Sequence, residues 1–512
     1  FSGVSGDERC AGGMSTCKGL LDGVYCTRCP SALYLSSDGE CRPCTGLGGA
    51  AAGVLGGTVV LIFVLMLSLL CSTRLSRAIS DSGAWRRLKA LTEASGLAAK
   101  AKQLLSFYQQ ATSIQSAFRV TFPAEVRAVL AIFELFSLNL FELGLPLECL
   151  SLGSFLQRIT FMLLAPLSLV AGTPPVAWWL LREEGGDRDR RAVLLRALPM
   201  ALKLLFVVFP LVSAVAVQAF DCEHFDNGES WLRADYSLQC GSTMGNQTEF
   251  TSEYKQVRAV AALAICIYPL GVPALFLCLL LSSRHQLSRR APATTLSTSL
   301  SFLHSEYRKR WFIWEVIESL KKLLFVSFMR LVNPGTLSQL LVALVVALSF
   351  LILQLTAAPF KRASDNLLGL VSGAAYCLLL LGSLTLKQAA LDDALPEELI
   401  TPALRQVLET PGLPLLGVMI VSALASIALA GGILIREAIR DSQQVKLRFK
   451  GSGMLVNVPL TRGKTHHLFI SHVWATAQDQ ARVLRSRLQA IVPGLRVWLD
   501  VEDLEDISAL ED

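Results

Sequence analysis

The chain has 512 residues, with 47 Lys and Arg against 41 Asp and Glu for a formal net charge of +6, 17% charged residues and 52% hydrophobic ones; its mean hydropathy is +0.49. Soluble globular domains carry about 25% charge, so these figures exclude an ordinary soluble enzyme. Disorder is excluded too, because it needs low hydrophobicity and high charge. The small positive excess does not point to nucleic acid, and its meaning lies in where the Lys and Arg fall.

The chain begins at Phe1 and stops at Asp512 inside what reads as an unfinished domain, so it is read as a fragment. Residues 1–46 hold Cys10, Cys17, Cys26, Cys29, Cys41 and Cys44. Their core spacing, Cys26-x2-Cys29-x11-Cys41-x2-Cys44, is also that of a four-thiolate zinc ribbon. Which side of a membrane this head occupies decides between zinc and disulfides.

Long apolar runs follow, each about the 20 residues that cross a hydrocarbon core. Nine are expected, near 49–71, 126–149, 155–181, 198–220, 257–282, 311–333, 337–358, 367–386 and 413–435. The second holds Glu134, Asn139 and Glu142, and a re-entrant or interfacial segment is its alternative reading.

Cytoplasmic loops carry an excess of Lys and Arg. Segment 72–125 carries Arg74, Arg77, Arg86, Arg87, Lys89, Lys100 and Lys102; segments 182–197 and 283–310 are similarly basic. Loops 150–154 and 334–336 carry none, and 221–256 only Arg233 and Lys255. Counting the second run as a crossing puts all three basic segments on one side. The Cys-rich head, the Cys222 and Cys240 loop and the Asn246-Gln247-Thr248 glycosylation acceptor then share the other. The expectation is nine crossings, N-terminus outside and C-terminus cytosolic, in a plasma membrane.

An outward head favours disulfides, because thiols pair in an oxidising compartment and so small a module lacks a sufficient core. Their connectivity stays open. The stretch Cys26-Thr27-Arg28-Cys29-Pro30 with Tyr34, Gly39, Cys41 and Cys44 resembles the ephrin-receptor-like and growth-factor-receptor-like Cys-rich repeats of extracellular stalks. Such a module binds a ligand or spaces. Cys222 and Cys240 are expected to pair as well.

The run 311–333 carries Glu315, Glu318, Lys321 and Lys322, which at about 100° per residue form one polar stripe. Each charge at mid-membrane costs roughly 2.5 to 3.5 kcal/mol, so the stripe must face other helices or a water-filled cavity. Glu318 has the spacing to pair with Lys321 or Lys322, and Glu134, Asn139 and Glu142 are candidate partners. Either the stripe serves a pathway or gate, or it fixes helix packing.

Ser113, Phe118 to Pro123, the second run up to Cys149, Tyr307 to Leu324, Pro359-Phe360 and Ser364-Asp365-Asn366-Leu367 resemble the multi-pass block of large surface proteins of algae and other single-celled eukaryotes. That block is similar to the TRP-like (transient-receptor-potential-like) channel family, including its fungal branch. The resemblance covers roughly 72–435 and implies a membrane bundle in which cations are the candidate cargo.

After a polar linker, 436–463, the segment 464–512 changes character. Leu468 to Ile470 and Leu495 to Leu499 read as short buried strands around a helix over Gln478 to Ile491, the start of a parallel β-α-β fold. Phe469-Ile470-Ser471-His472 and Val497-Trp498-Leu499-Asp500 with Asp503-Leu504 resemble the first two sequence boxes of TIR (Toll/interleukin-1 receptor) domains. That resemblance implies homotypic protein partners. In the family's NAD-cleaving members the catalytic glutamate lies on a later helix, beyond Asp512, so no catalytic residue is expected here. His466, His467 and His472 lack the companions of a metal site, and no cofactor is expected.

The expected fold is mainly α: a polytopic helical bundle over 47–435, a small disulfide-rich outer module and an incomplete α/β (TIR/flavodoxin-like) cytosolic domain. Two functions fit. One is a receptor-like signalling protein in the lipid bilayer; the other is a TRP-like cation channel or transporter gated through its end domains.

Overall fold

The computed structural model describes residues 17, 21–26, 28–30, 33–35, 40–44, 96–137, 153–183, 189–244, 247–288, 294–394, 412–443, 447, 456, 466–470, 478–492 and 495–499. They form two units, one drawn from 1–85 and 98–430, the other from 86–97 and 431–512.

In the head, Cys17 pairs with Cys26 and Cys29 with Cys41, and Cys44 is also disulfide-bonded; Cys10 lies outside the described residues. The zinc-ribbon spacing therefore holds disulfides. Strands β1 (Leu33–Leu35) and β2 (Cys41–Pro43) form an antiparallel hairpin. So small a sheet buries little, and the covalent links do the work of a core.

The bundle is built from α1 (Leu97–Thr112), α2 (Ile114–Phe118), α3 (Ala124–Ser137), α4 (Phe155–Ala171), α5 (Thr173–Glu183) and α6 (Arg190–Gln218). After a sheet come α7 (Ser252–Ile265), a π turn (Cys266–Leu270), α8 (Gly271–Ser282), α9 (Trp314–Val326), a 3-10 turn (Phe328–Leu331), α10 (Leu337–Ala357), α11 (Ala363–Ala394) and α12 (Gly412–Gln443). Local chemistry sets several of these ends. Ser154 and Gln157 form a reciprocal capping box before α4, which satisfies donors that a helix start leaves open. Pro269 lies in the π turn, where its missing N–H removes a helical bond.

Among the described residues six helical stretches are long and apolar enough to cross a membrane: Phe155–Arg182, Arg190–Gln218, Ser252–Ser282, Leu337–Ala357, Ala363–Ala390 and Gly417–Arg436. They coincide with the third, fourth, fifth, seventh, eighth and ninth expected runs. Val345, Ile352 and Val421 on these helices are more than half exposed, as expected of faces packed against lipid rather than water. This is an integral membrane bundle.

The run 49–71 lies outside the described residues. Two other expectations need correction. The run 311–333 is not one continuous span; it divides into the 13-residue α9 and a 3-10 turn, with Ser327 between them. The second concerns 72–125, read as a basic segment facing the cytosol. Lys100 and Lys102 are buried in the bundle, and α1 with α2 runs from one end of it to the other.

The two ends are fixed by contacts. At one, which we call the sheet end, Arg119 just after α2 donates to both carboxylate oxygens of Asp221 at 2.7 and 3.0 Å and to the carbonyl of Pro334. Helix α10 starts there and covers 21 residues, about 31 Å, to the other end. There Pro359 accepts from the Arg308 amide at 2.8 Å, and Asp365 pairs with Lys100. Phe155 also meets the sheet end, its amide donating to Asp235 at 2.9 Å. Residues 119 and 155 thus share an end, which leaves no single crossing between them, contrary to the expectation for 126–149. Residues 138–149, with Asn139, Glu142 and Cys149, and the side chain of Glu134 lie outside the described residues.

The sheet is an antiparallel meander of β3 (Cys222–His224), β4 (Glu229–Leu232), β5 (Gln239–Met244) and β6 (Gln247–Phe250). Cys222 and Cys240 form the expected disulfide. Asn246 lies outside the described residues. The head docks here: the Tyr25 hydroxyl donates to Glu223 at 3.3 Å, and its ring meets those of Phe225 and Tyr236.

In the second unit, β7 (Leu468–Ile470) and β8 (Val497–Leu499) pair in parallel, with α13 (Gln478–Ile491) between them in sequence. Ile470, Ala481, Val497 and Leu499 form their buried cluster. Ser471, His472, Asp500, Asp503 and Leu504 lie outside the described residues.

Candidate functional site

The end of the bundle opposite the sheet holds a buried cluster of charges. Its centre is Lys102 on α1. The ammonium has three N–H donors, and the structure gives it three oxygen acceptors: Glu315 Oε2 at 2.5 Å, Glu306 Oε2 at 3.2 Å and the Phe302 carbonyl at 2.9 Å. The ring of Phe302 lies under it at 4.4 Å, a favourable place for a desolvated cation. Glu315 sits in the first turn of α9, where the helix dipole favours an anion, and accepts a second bond from the Tyr307 hydroxyl at 3.0 Å.

Two residues back, Lys100 donates to Asp365 Oδ1 at 2.9 Å, with both side chains almost fully buried. Positions i and i+2 face roughly opposite sides of a helix. Helix α1 is therefore held from two directions, by α11 through Lys100 and by the 302–315 segment through Lys102. The loop before α11 is fixed by Asn366, whose side chain accepts from the Phe360 amide at 3.1 Å and donates to its carbonyl at 3.0 Å. Phe360 in turn bridges Tyr307, their rings 5.0 Å apart. Glu306 lies on the connection before α9; burial pushes its carboxyl above the usual range, against the opposing pull of Lys102.

The expected polar stripe does not act as one surface. Glu315 turns to Lys102. Glu318 pairs with Lys321 at 2.6 Å, the i,i+3 choice rather than Lys322, and accepts from the Trp314 indole at 3.1 Å. Lys322 is fully buried and makes no hydrogen bond among the described residues; its Nζ lies 3.5 Å from the Phe206 ring centre. The Glu134 side chain, Asn139 and Glu142, the expected partners of the stripe, lie outside the described residues. Among the described residues Glu315 meets Lys102 and Tyr307. The available signal was Lys100-Ala-Lys102 opening a stretch rich in Ala, Leu and Gln that reaches Phe118.

Beside this cluster lies a cavity of about 60 Å³ between α1, α9, α10 and α11, its wall including Lys102, Glu306, Glu315, Glu318 and Lys321. Tyr307, Pro359, Phe360 and Asp365, landmarks in the sequence, converge here. Ser113 and Phe118 do not: they lie toward the sheet end, where the Phe118 carbonyl accepts from Lys387 at 2.6 Å. The TIR-like residues that are described, Phe469, Ile470 and Leu499, are in the strands of the second unit. There the Arg496 amide donates to His467 Nδ1 at 2.8 Å, an ordinary structural role for that histidine.

No family model matches the chain, and no solved structure matches it. Among curated proteins it is similar to the Cysteine repeat modular protein A of Toxoplasma gondii, with 26% identity over 176 residues. The matched region is 33% of this chain and 5% of that protein, so the chain spans about a twentieth of the length of this relative.

Proposed function

We propose that the protein is a multi-pass, receptor-like signalling protein that links an extracellular disulfide-rich end to a cytosolic TIR-like interaction domain. In this reading the crossings are nine: the 49–71 run, α1–α2, α4–α5, α6, α7–α8, α9 with its 3-10 turn, α10, α11 and α12. The α1–α2 segment takes the place first given to 126–149, so the parity is kept. The sheet, the head and the Asn246 acceptor face outward at the plasma membrane, and the tail faces the cytosol.

The observation that carries the reading is α1–α2 itself. It is held at the sheet end by Arg119 and Asp221 and at the other by Lys100 and Lys102, so one packed segment, broken only at Ser113, joins an outer event to the inner end. The docking of Tyr25 beside Glu223 supports a head that reports to this end. Cysteine repeats, named for the Toxoplasma gondii relative, fit a head of this kind. The parallel β7 and β8 support a TIR-like start, and Phe469, stacked on Trp498 and more than half exposed, is the contact residue we assign to homotypic partners. Energy transfer between full-length chains labelled on the tail tests this. Association that rises with surface density and falls severalfold in Phe469→Asp is expected; no transfer at any density would end the receptor reading.

The second reading is a TRP-like cation channel or transporter. It is favoured by the interrupted helices α1–α2 and α9 and by the polar cavity between them, since broken helices in membranes line cavities. Ion flux in liposomes carrying the full chain decides it, with Glu318→Leu as a probe; flux no higher than empty vesicles removes it.

A further inference from the structure

Three polar side chains that line the cavity find no partner among the described residues: the Gln103 amide on α1, through both its oxygen and its nitrogen, and the Ser372 and Tyr376 hydroxyls on α11. Ser372 is 8% exposed and Tyr376 4%. Each unmet group of this sort costs free energy in a dry interior, and four such atoms opening on one space call for an occupant that can both donate and accept. At Gly369 a Cβ would lie 1.8 Å from Gln354 Nε2, so glycine lets the Gln354 amide lie where it does against α11 along this wall.

The charges say what kind of occupant. Each charged group that lines the space already has a partner, Lys102 with Glu306 and Glu315 and Lys321 with Glu318, so neither a free anion nor a free cation finds an unpaired group, although the carboxylates outnumber the lysines three to two. The groups left over are neutral hydroxyls and an amide. We propose that the cavity is a water-binding site, holding a hydrogen-bonded cluster that joins Tyr376, Ser372 and Gln103 to the charged end of α9. At about 10–15 Å³ per water, its volume of about 60 Å³ takes on the order of four molecules. The cluster solvates Glu318 and Lys321 where lipid cannot, and it makes the centre of the bundle wet whether or not the protein conducts.

Hydroxyl-radical labelling of the full chain in lipid nanodiscs, with radicals generated from water by X-ray pulses, tests this without any substitution. Bound water delivers radicals to buried neighbours. Tyr268 is the internal control, fully buried with its hydroxyl committed to the Leu163 carbonyl at 2.9 Å. Oxidation of Tyr376 several-fold faster than Tyr268 is expected; equal protection of the two overturns the proposal. Ser372→Leu, which fills the space, should bring Tyr376 down to the Tyr268 rate, and labelling that persists in a folded variant places the water elsewhere and also overturns it.

Discussion

Lys102 and Glu315 lie 213 positions apart in the sequence and 2.5 Å apart in the structure. Both were visible as charges, yet one reads as a topological signal in a loop and the other as part of a stripe on an isolated span. Their pairing makes each of them affordable in an apolar bundle, since a buried charge must be matched and hydrogen-bonded.

Removing one partner should therefore be worse than removing both. Lys102→Met leaves Glu315 and Glu306 buried against a methyl group and is expected to cost about 3–5 kcal/mol. The double variant Lys102→Met/Glu315→Leu should recover part of that, since Glu306 alone is then left without its lysine. Unfolding in detergent, followed by denaturant titration of the two variants, makes the comparison; equal losses would show that the pair is not coupled.

The sheet end depends on backbone as well as charge. Gly335 has φ +82°, and a Cβ there would lie 3.0 Å from Arg119 Cδ. Gly335→Ala should cost on the order of 1–3 kcal/mol and loosen the Arg119–Asp221 contact. Faster amide exchange around Asp221 is the local sign to look for, with exchange around Asp365 unchanged.

Cys222 and Cys240 close a loop with a sequence separation of 18, worth about 3 kcal/mol on the chain-entropy model. The paired variant Cys222→Ser/Cys240→Ser should lower the thermal midpoint of the sheet while leaving the second unit untouched. A midpoint identical to the parent would mean that the disulfide adds nothing.

His304 gives a pH dependence of known sign. Burial holds its imidazole pKa below the ordinary value, with the Ser297 carbonyl 3.0 Å from Nε2 pulling the other way and the nearby lysines adding to the depression. The unfolded chain then binds the proton more readily than the folded one, so stability is full above about pH 6.5 and falls as pH drops below it. Protection of the 294–307 amides, taken against the intrinsic exchange rate at each pH, should fall on acidification through that range in the parent and not in His304→Gln.

Sidedness can be read at single positions. Arg119→Cys and Lys361→Cys, introduced separately, should react with a membrane-impermeant thiol reagent from opposite sides of sealed cells, Arg119→Cys from outside. Reaction of both from one side would remove the crossing assigned to α1–α2.

The sequence by itself determined that this is a membrane bundle, where six of its helices lie, that the cysteines of the head and of the 221–250 loop form disulfides, and that the tail begins as β-α-β. These follow from hydropathy, spacing and periodicity, which are properties of neighbours along the chain. The tertiary structure alone decided that Lys100 and Lys102 belong to a buried helix, because a segment carrying Lys and Gln has no hydropathy signal and is held inside by distant carboxylates together with the packing of Phe107, Tyr108 and Ala111 in the core. The same holds for the division of the α9 stripe, where Glu315, Glu318 and Lys322 each face a different neighbour. Burial of a charge is settled by what lies across the space from it, and that is set by packing between segments hundreds of residues apart.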